Sequence, residues 1–192
     1  MIAIIDYQAG NIQSVSNAVE RLGFDTVLTR DKQTILQADK VILPGVGEAS
    51  SAMNNLTKYE LDTLIKNIKQ PFLGICLGLQ LMCDSSEEGQ TNGLGIFNTK
   101  VKRFSAAEKV PHMGWNTLNT LKGPLFNRMD QSPDVYFVHS FYAELSKYSI
   151  AQCDYILPFS AAMQKDNYYA TQFHPEKSGT IGQEILKNFL IL

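Results

Sequence analysis

Three residues of this chain have the types and setting for nucleophilic chemistry: Cys76, His174 and Glu176. Cys76 stands in Gly74-Ile75-Cys76-Leu77-Gly78, where an apolar run opened by Pro71 meets a run of good helix formers. Small residues two before and two after a nucleophile let strand and helix approach closely around a strained turn, which exposes the reactive atom. A thiol there also lies at a helix N-terminus, where unpaired N–H groups favour a thiolate and can stabilise an oxyanion. The competing reading is a core cysteine, because free Cys is among the most buried residue types. Packing alone gives no reason for two glycines at this spacing.

A cysteine nucleophile needs a base, and the base needs a third group that fixes its tautomer. The sequence offers three histidines. His112 lies in the turn-like stretch Pro111-His112-Met113-Gly114-Trp115-Asn116, where a surface residue packing on Trp115 is as good a reading as a functional one. His139 interrupts an apolar run and reads equally as a strand histidine satisfied by hydrogen bonds or as a functional group. His174 ends the strand-like run Tyr169–Phe173 and is followed by Pro175-Glu176, so the chain leaves the sheet there and Glu176 can return toward the imidazole. His174 is therefore the expected base and Glu176 its orienter. Pro44-Gly45-Val46-Gly47 follows a predicted strand and precedes a helix; it lacks the pattern of a phosphate loop, and an N–H donor for an oxyanion is its better use. On the loop alone, an ordinary strand-to-helix turn is the simpler reading.

The elements that must hold these residues follow from periodicity. Ile2 to Asp6, Phe24 to Thr29, Lys40 to Leu43 and Pro71 to Ile75 read as strands, alternating with helices from Asn11 to Leu22, Asp31 to Leu36 and two pieces between Ala49 and Lys69 broken near Thr57. Such alternation implies a doubly wound parallel sheet. A helix is expected from Leu77 to Cys83, then a flexible glycine-rich connection from Gly89 to Gly95. Short alternating stretches follow, at Ile96–Phe104, Trp115–Leu118, Val135–Tyr142, Ser149–Tyr155, Ala161–Gln164 and Tyr168–Phe173, and are read as an appended, partly antiparallel β layer. A last helix runs from Thr180 to Leu190, with Ser178 as its start signal.

Bulk properties narrow the function classes. The 192 residues suit one domain, 1–192, with a full hydrophobic core. A net charge of −2 gives no electrostatic case for nucleic acid or a membrane surface. No apolar run reaches membrane-spanning length, and Met1–Asp6 is too short for a signal peptide, so a cytoplasmic protein is expected. Three cysteines, Cys76, Cys83 and Cys153, without CxxC spacing fit a reducing compartment and neither a disulfide frame nor a metal site.

Taken together, Pro44-Gly45-Val46-Gly47, Gly74-Ile75-Cys76-Leu77-Gly78-Leu79-Gln80 and His174-Pro175-Glu176 resemble the class I, triad-type glutamine amidotransferases in order and separation. Asp6-Tyr7 with Gly10-Asn11, Pro111–Asn116 and Tyr136–Tyr142 are similar to the glutaminase subunits of imidazole glycerol phosphate synthases, the HisH type. The resemblance spans the whole chain. It implies an α/β, flavodoxin-like fold: a mixed, mainly parallel sheet flanked by helices, with an appended antiparallel β layer. It implies that Cys76 attacks the side-chain amide of L-glutamine, that His174 moves the proton to departing ammonia, and that Glu176 orients His174, through a γ-glutamyl thioester. Leu77 and the Gly45-Val46-Gly47 loop would hold the oxyanion. Gln80, Glu88, Ser140 and Phe141 match substrate positions, with Glu87 as the neighbour that could replace Glu88. Asn11, Met113, Trp115 and Lys177 match positions near the partner and the ammonia passage. The partner implied is a (β/α)8-barrel cyclase, the HisF type, which forms imidazole glycerol phosphate and AICAR; no cofactor or metal is implied.

Three other readings compete: a glutaminase serving a pyridoxal phosphate, aminodeoxychorismate or sugar-amidating synthase; a cysteine hydrolase of related fold, which would not need Gln80 or the PGVG loop; and a binding subunit without activity. The glycines around Val46 also predict a latent site, in which a loop carbonyl faces the oxyanion position until a partner favours the turned peptide.

Overall fold

Four short apolar runs, Ile2–Ile5, Lys40–Leu43, Phe72–Ile75 and Tyr168–Thr171, are buried along their whole length, as strands covered on both faces must be. The computed structural model describes residues 1–8, 12–129 and 132–192. Its elements are β1 (Ile2–Ile5), α1 (Ile12–Arg21), β2 (Thr26–Thr29), α2 (Lys32–Gln37), β3 (Lys40–Leu43), α3 (Ala49–Lys58), α4 (Leu61–Ile65), β4 (Phe72–Ile75), α5 (Leu77–Met82), β5 (Cys83–Ser86), β6 (Thr91–Asn92), β7 (Phe97–Arg103), β8 (His112–Thr117), β9 (Asp134–His139), β10 (Phe141–Ala143), β11 (Ser149–Tyr155), β12 (Leu157–Lys165), β13 (Tyr168–Thr171) and α6 (Gly179–Leu190).

The main sheet has the order β11-β12-β13-β4-β3-β1-β2. From β13 to β2 every pairing is parallel, and β11 and β12 extend it antiparallel. Alternation along the strands sends Ile2, Ile4, Ile42, Leu73 and Ile75 into one core and Ala3, Ile5, Val41, Leu43 and Phe72 into the other. α1 and α6 cover the first core; α2, α3, α4 and α5 cover the second. The α/β architecture expected from the sequence is thus present, with helices on both faces.

The later stretches divide more finely than one appended layer. β11, β12 and β13 join the main sheet, while β10-β7-β5-β6 and β8-β9 form two small sheets beside it. Ser140 separates β9 from β10. The break in the helical stretch after Ala49, expected near Thr57, falls at Tyr59 and Glu60, where Glu60 takes φ 53°. α5 ends at Met82, so Cys83 starts a strand instead of closing a helix. Gly89 to Gly95 is no slack connection: β6 pairs with β5, and the N–H groups of Gly93 and Gly95 bond the carbonyls of Asp84 and Cys83 at 2.8 and 3.0 Å. Gly93 marks tight backbone contact, since a Cβ there would lie 2.1 Å from the Cys83 carbonyl oxygen. Among the described residues, no helix is long and apolar enough to cross a membrane.

The glycines that matter to the centre of the sheet are Gly74 and Gly78. A Cβ on Gly74 would meet the Met82 sulfur at 2.5 Å, and one on Gly78 would come within 2.1 Å of the Leu43 carbonyl oxygen. Gly78→Ala is therefore expected to cost about 1–3 kcal/mol of stability through overpacking. Gly23→Ala, at φ 86° with open space around it, should lose only about 1 kcal/mol from backbone strain. Urea denaturation midpoints of the two variants check the order; equal midpoints would refute the close approach at Gly78.

Candidate active site

Cys76 links β4 to α5 at φ 53° and ψ −103°, a conformation that non-glycine residues adopt at a cost of about 1–3 kcal/mol. Its neighbours hold it there. Its N–H donates to the Thr171 carbonyl on β13 at 2.7 Å, and its carbonyl accepts from the Gln80 N–H at 3.3 Å, the first bond of α5. The thiol is 7% exposed at the floor of a cleft of ≈ 360 Å³, a size that suits a small molecule.

His174 lies just beyond the end of β13 and is anchored by its N–H to the Tyr136 carbonyl at 3.0 Å. Its Nδ1 is 2.8 Å from Glu176 Oε1, and both side chains are buried. The 3-10 turn Pro175–Lys177 makes the return that the sequence suggested. Gly182 lets α6 press on that turn, because a Cβ there would meet the Pro175 carbonyl oxygen at 1.9 Å. Burial by itself would lower the imidazole pKa, but interaction with Cys76 and then with Glu176 outweighs it and raises the value to about 10. His174 is thus an imidazolium at neutral pH.

The cleft brings together most of the predicted substrate positions: Val46, Gly47, Leu77, Gln80, Glu88, Ser140 and Phe141 line it with Cys76. Glu88 receives the Ala49 N–H at 2.8 Å, and its pKa is raised, mainly by burial. Glu87 points elsewhere, accepting the Arg103 N–H at 2.8 Å. Gly45 sits behind the cleft wall, where a Cβ would collide with the Tyr7 hydroxyl at 2.2 Å. The Leu77 N–H donates to the Gly45 carbonyl at 3.3 Å. Because the peptide is planar and trans, the Val46 N–H on the same unit points the opposite way. The Leu77 N–H at the head of α5 therefore meets a loop carbonyl, with the Val46 N–H turned away from it.

Met113 and Trp115 stand apart from the cleft, 61% and 58% exposed, on β8. Lys177 is exposed on the turn after His174, and Trp115 reaches Gly179 nearby. Asn11 lies outside the described residues. His112 departs from the surface reading: it is 4% exposed within β8, and its Nδ1 is 2.9 Å from His139 Nε2. His139 is a buried strand histidine with both nitrogens bonded.

Three contributors carry no clear mark in the sequence. Gln172 is fully buried and donates to the Cys76 sulfur at 3.7 Å while its Oε1 accepts from Gln80 at 3.1 Å. An amide two residues before His174 in an apolar strand is the one signal for it. Ser178 stands at the N-cap of α6, as expected, but its side chain makes no capping bond; its hydroxyl donates to the His174 carbonyl at 2.7 Å and accepts the Tyr136 N–H at 2.9 Å, fixing His174 to β9. Tyr7 bonds the Pro44 carbonyl at 2.8 Å and so shapes the loop.

Comparison with known proteins agrees with this geometry. The profile of the family described as Glutamine amidotransferase class-I matches residues 3–192. The imidazole glycerol phosphate synthase subunit HisH of Bacteroides fragilis is 57% identical over 194 residues, covering 100% of this chain and 99% of that protein. The HisH subunit of Vibrio cholerae is 48% identical over 199 residues, covering 100% and 98%. In fold, a chain of PurLQS from Thermotoga maritima superposes with a TM-score of 0.76 at 15% identity, covering 99% of this chain and 97% of that one.

The raised His174 value has a consequence for stability. Since the folded pKa of about 10 lies above the ordinary 6.5, the pairing stabilises the fold fully below about pH 6.5 and the contribution is lost as pH rises through about 10. Cys76→Ala removes one partner and should move the NMR titration of His174 downward. The stability gap between wild type and Cys76→Ala should narrow from pH 7 to pH 10; a gap independent of pH would contradict the pairing.

Proposed function

The chain belongs to the class I glutamine amidotransferases, and from that premise we propose that it is the glutaminase subunit of an imidazole glycerol phosphate synthase in histidine biosynthesis. The observation that carries the chemistry is His174 held between Glu176 and the Cys76 thiol at the floor of the cleft. The full-length HisH relatives support the choice among synthases. Residues 1–192 form one such domain, working in the cytoplasm, where a free thiol persists.

In this reading glutamine enters with its α-ammonium group toward Glu88 and its side-chain amide toward Cys76. The thiolate attacks the amide carbon, and the negative oxygen is held by the Leu77 N–H and, once the loop has turned, by the Val46 N–H. The tetrahedral adduct expels ammonia as His174 gives up its proton, leaving a γ-glutamyl thioester. Water then attacks the thioester with His174 as base, releasing glutamate and restoring the thiolate beside a protonated His174. Glu176 keeps the Nδ1 proton in place, so Nε2 faces the reacting atoms.

Ammonia released alone would be wasted. The exposed Met113 and Trp115, with Lys177 and Asn11, are the residues we assign to docking on a (β/α)8-barrel cyclase of the HisF type, which would consume it. The Gly45 carbonyl at the Leu77 N–H makes the free subunit latent, and the partner activates it by binding the turned loop more tightly than the resting one.

Two measurements test this. Cys76→Ser should abolish glutamine-dependent formation of imidazole glycerol phosphate in the assembled synthase while added ammonium salts still support it; loss of both would put Cys76 outside the glutaminase step. Gly47, at φ 110°, should tolerate no β-branched side chain, so Gly47→Val is expected to reduce partner-stimulated turnover by up to about 100- to 1000-fold with little change in KM for glutamine. Equal single-turnover rates for the free and partner-bound wild type would rule out latency.

A further inference from the structure

Two buried histidines, His112 and His139, take no part in the chemistry above, yet they are bonded to each other and to the substrate wall. The Phe141 carbonyl can only accept, so His139 Nδ1, 2.8 Å away, carries the proton. His139 Nε2 is then a lone pair, and His112 Nδ1, 2.9 Å from it, must donate. His112 Nε2 in turn accepts from Asn116 Nδ2 at 3.2 Å. The orientation of Asn116 is set independently, because its Oδ1 accepts the Thr117 N–H at 2.8 Å and its Nδ2 also donates to the Asp154 carbonyl at 3.0 Å. Both ends of the chain thus dictate the same direction.

We propose that His112 and His139 are positioning residues of the glutamine site, forming with Asn116 a hydrogen-bond chain with one permitted proton arrangement that fixes the Phe141 carbonyl and, through it, Gln80. This rests on the cleft being the glutamine site. The Phe141 carbonyl accepts from both His139 and Gln80 Nε2, the latter at 2.9 Å, and the second Gln80 N–H goes to Gln172. With both its hydrogens spent, Gln80 has only its oxygen to offer the cleft. The rings cannot turn to rearrange the chain: His112 stacks on Tyr155 at 4.1 Å and on Phe137 at 4.8 Å, and His139 lies against Phe104 and Phe159. Protonating either ring would set two N–H groups against each other. Burial agrees, holding His112 down at about 4 and His139 at about 3, the second also repelled by His112 and His174.

His112→Phe keeps the stacked ring but offers His139 no hydrogen. His112→Asn loses the ring but places an amide N–H near the former Nδ1. In the synthase complex saturated with the cyclase substrate, His112→Phe is expected to raise KM for glutamine about tenfold or more with kcat within about threefold of wild type. His112→Asn should bring KM back to within about threefold of wild type, and ammonia-dependent synthesis should be unchanged in both. A packing role reverses that order, so Asn worse than Phe, or an unchanged KM in His112→Phe, overturns the proposal. Nitrogen-15 NMR of the wild-type chain at neutral pH is a second, independent measurement: both rings should be protonated at Nδ1 and bare at Nε2, and an Nε2–H on either ring overturns the chain. A wild-type complex that consumes no glutamine would sink the functional reading instead, and the tautomer spectrum would still decide the proton arrangement.

Discussion

Cys76 is held in a backbone conformation that its residue type disfavours, and the centre of the molecule is arranged around keeping it there. α5 packs at close range on both β4 and β3, because a Cβ on Gly74 would lie 2.9 Å from the Gly78 carbonyl carbon and one on Gly78 would lie 2.1 Å from the Leu43 carbonyl oxygen. β4 cannot slide along the sheet, since parallel pairing to β3 and β13 fixes its register on both sides. The strain is offset by a large buried core on each face of the sheet, and the result is a thiol presented at the carboxyl edge. Three other residues or loops near the cleft also follow the ends of parallel strands: Tyr7 after β1, the PGVG loop after β3, and His174 after β13. Open α/β sheets place ligands at this edge because the strand ends leave a crevice there.

The three histidines show how little the residue type decides. His174 has a carboxylate on one side and a thiol on the other, and these outweigh its burial, so it carries charge. His112 and His139 have neutral partners and each other, so the same burial leaves them neutral. A charged His174 close to His139 adds to that difference.

The loop at Val46 packs directly on the start of α5. Leu77 N–H, the donor supplied by the elbow, is already engaged by the Gly45 carbonyl at 3.3 Å, longer than a favourable amide bond. A weak bond of this kind is easily exchanged, and the glycines on either side of Val46 keep the turning of one peptide inexpensive. Tyr7 limits the motion to that peptide by holding the Pro44 carbonyl.

The sequence alone pointed to strands β1 to β4 of the parallel sheet and to Cys76, His174 and Glu176 as residues that belong together. Those signals are local: a buried strand is a run of apolar residues, and the elbow is a spacing of glycines around one cysteine. It did not determine that Cys83 leaves the helix, that the glycine-rich stretch after Glu88 is a tightly bonded ribbon, or that β11 to β13 join the main sheet. Those outcomes depend on pairing between segments far apart in the chain, and glycine that permits slack looks the same in sequence as glycine that permits close contact. Glu88 and Glu87 are adjacent and alike, so only the direction of the backbone could turn one into the cleft and the other to Arg103. Gln172, Ser178 and the His112 to His139 pair were hidden for the same reason. A hydrogen bond acts over about 3 Å, and which groups come within that reach is settled only when the strands that carry them have packed.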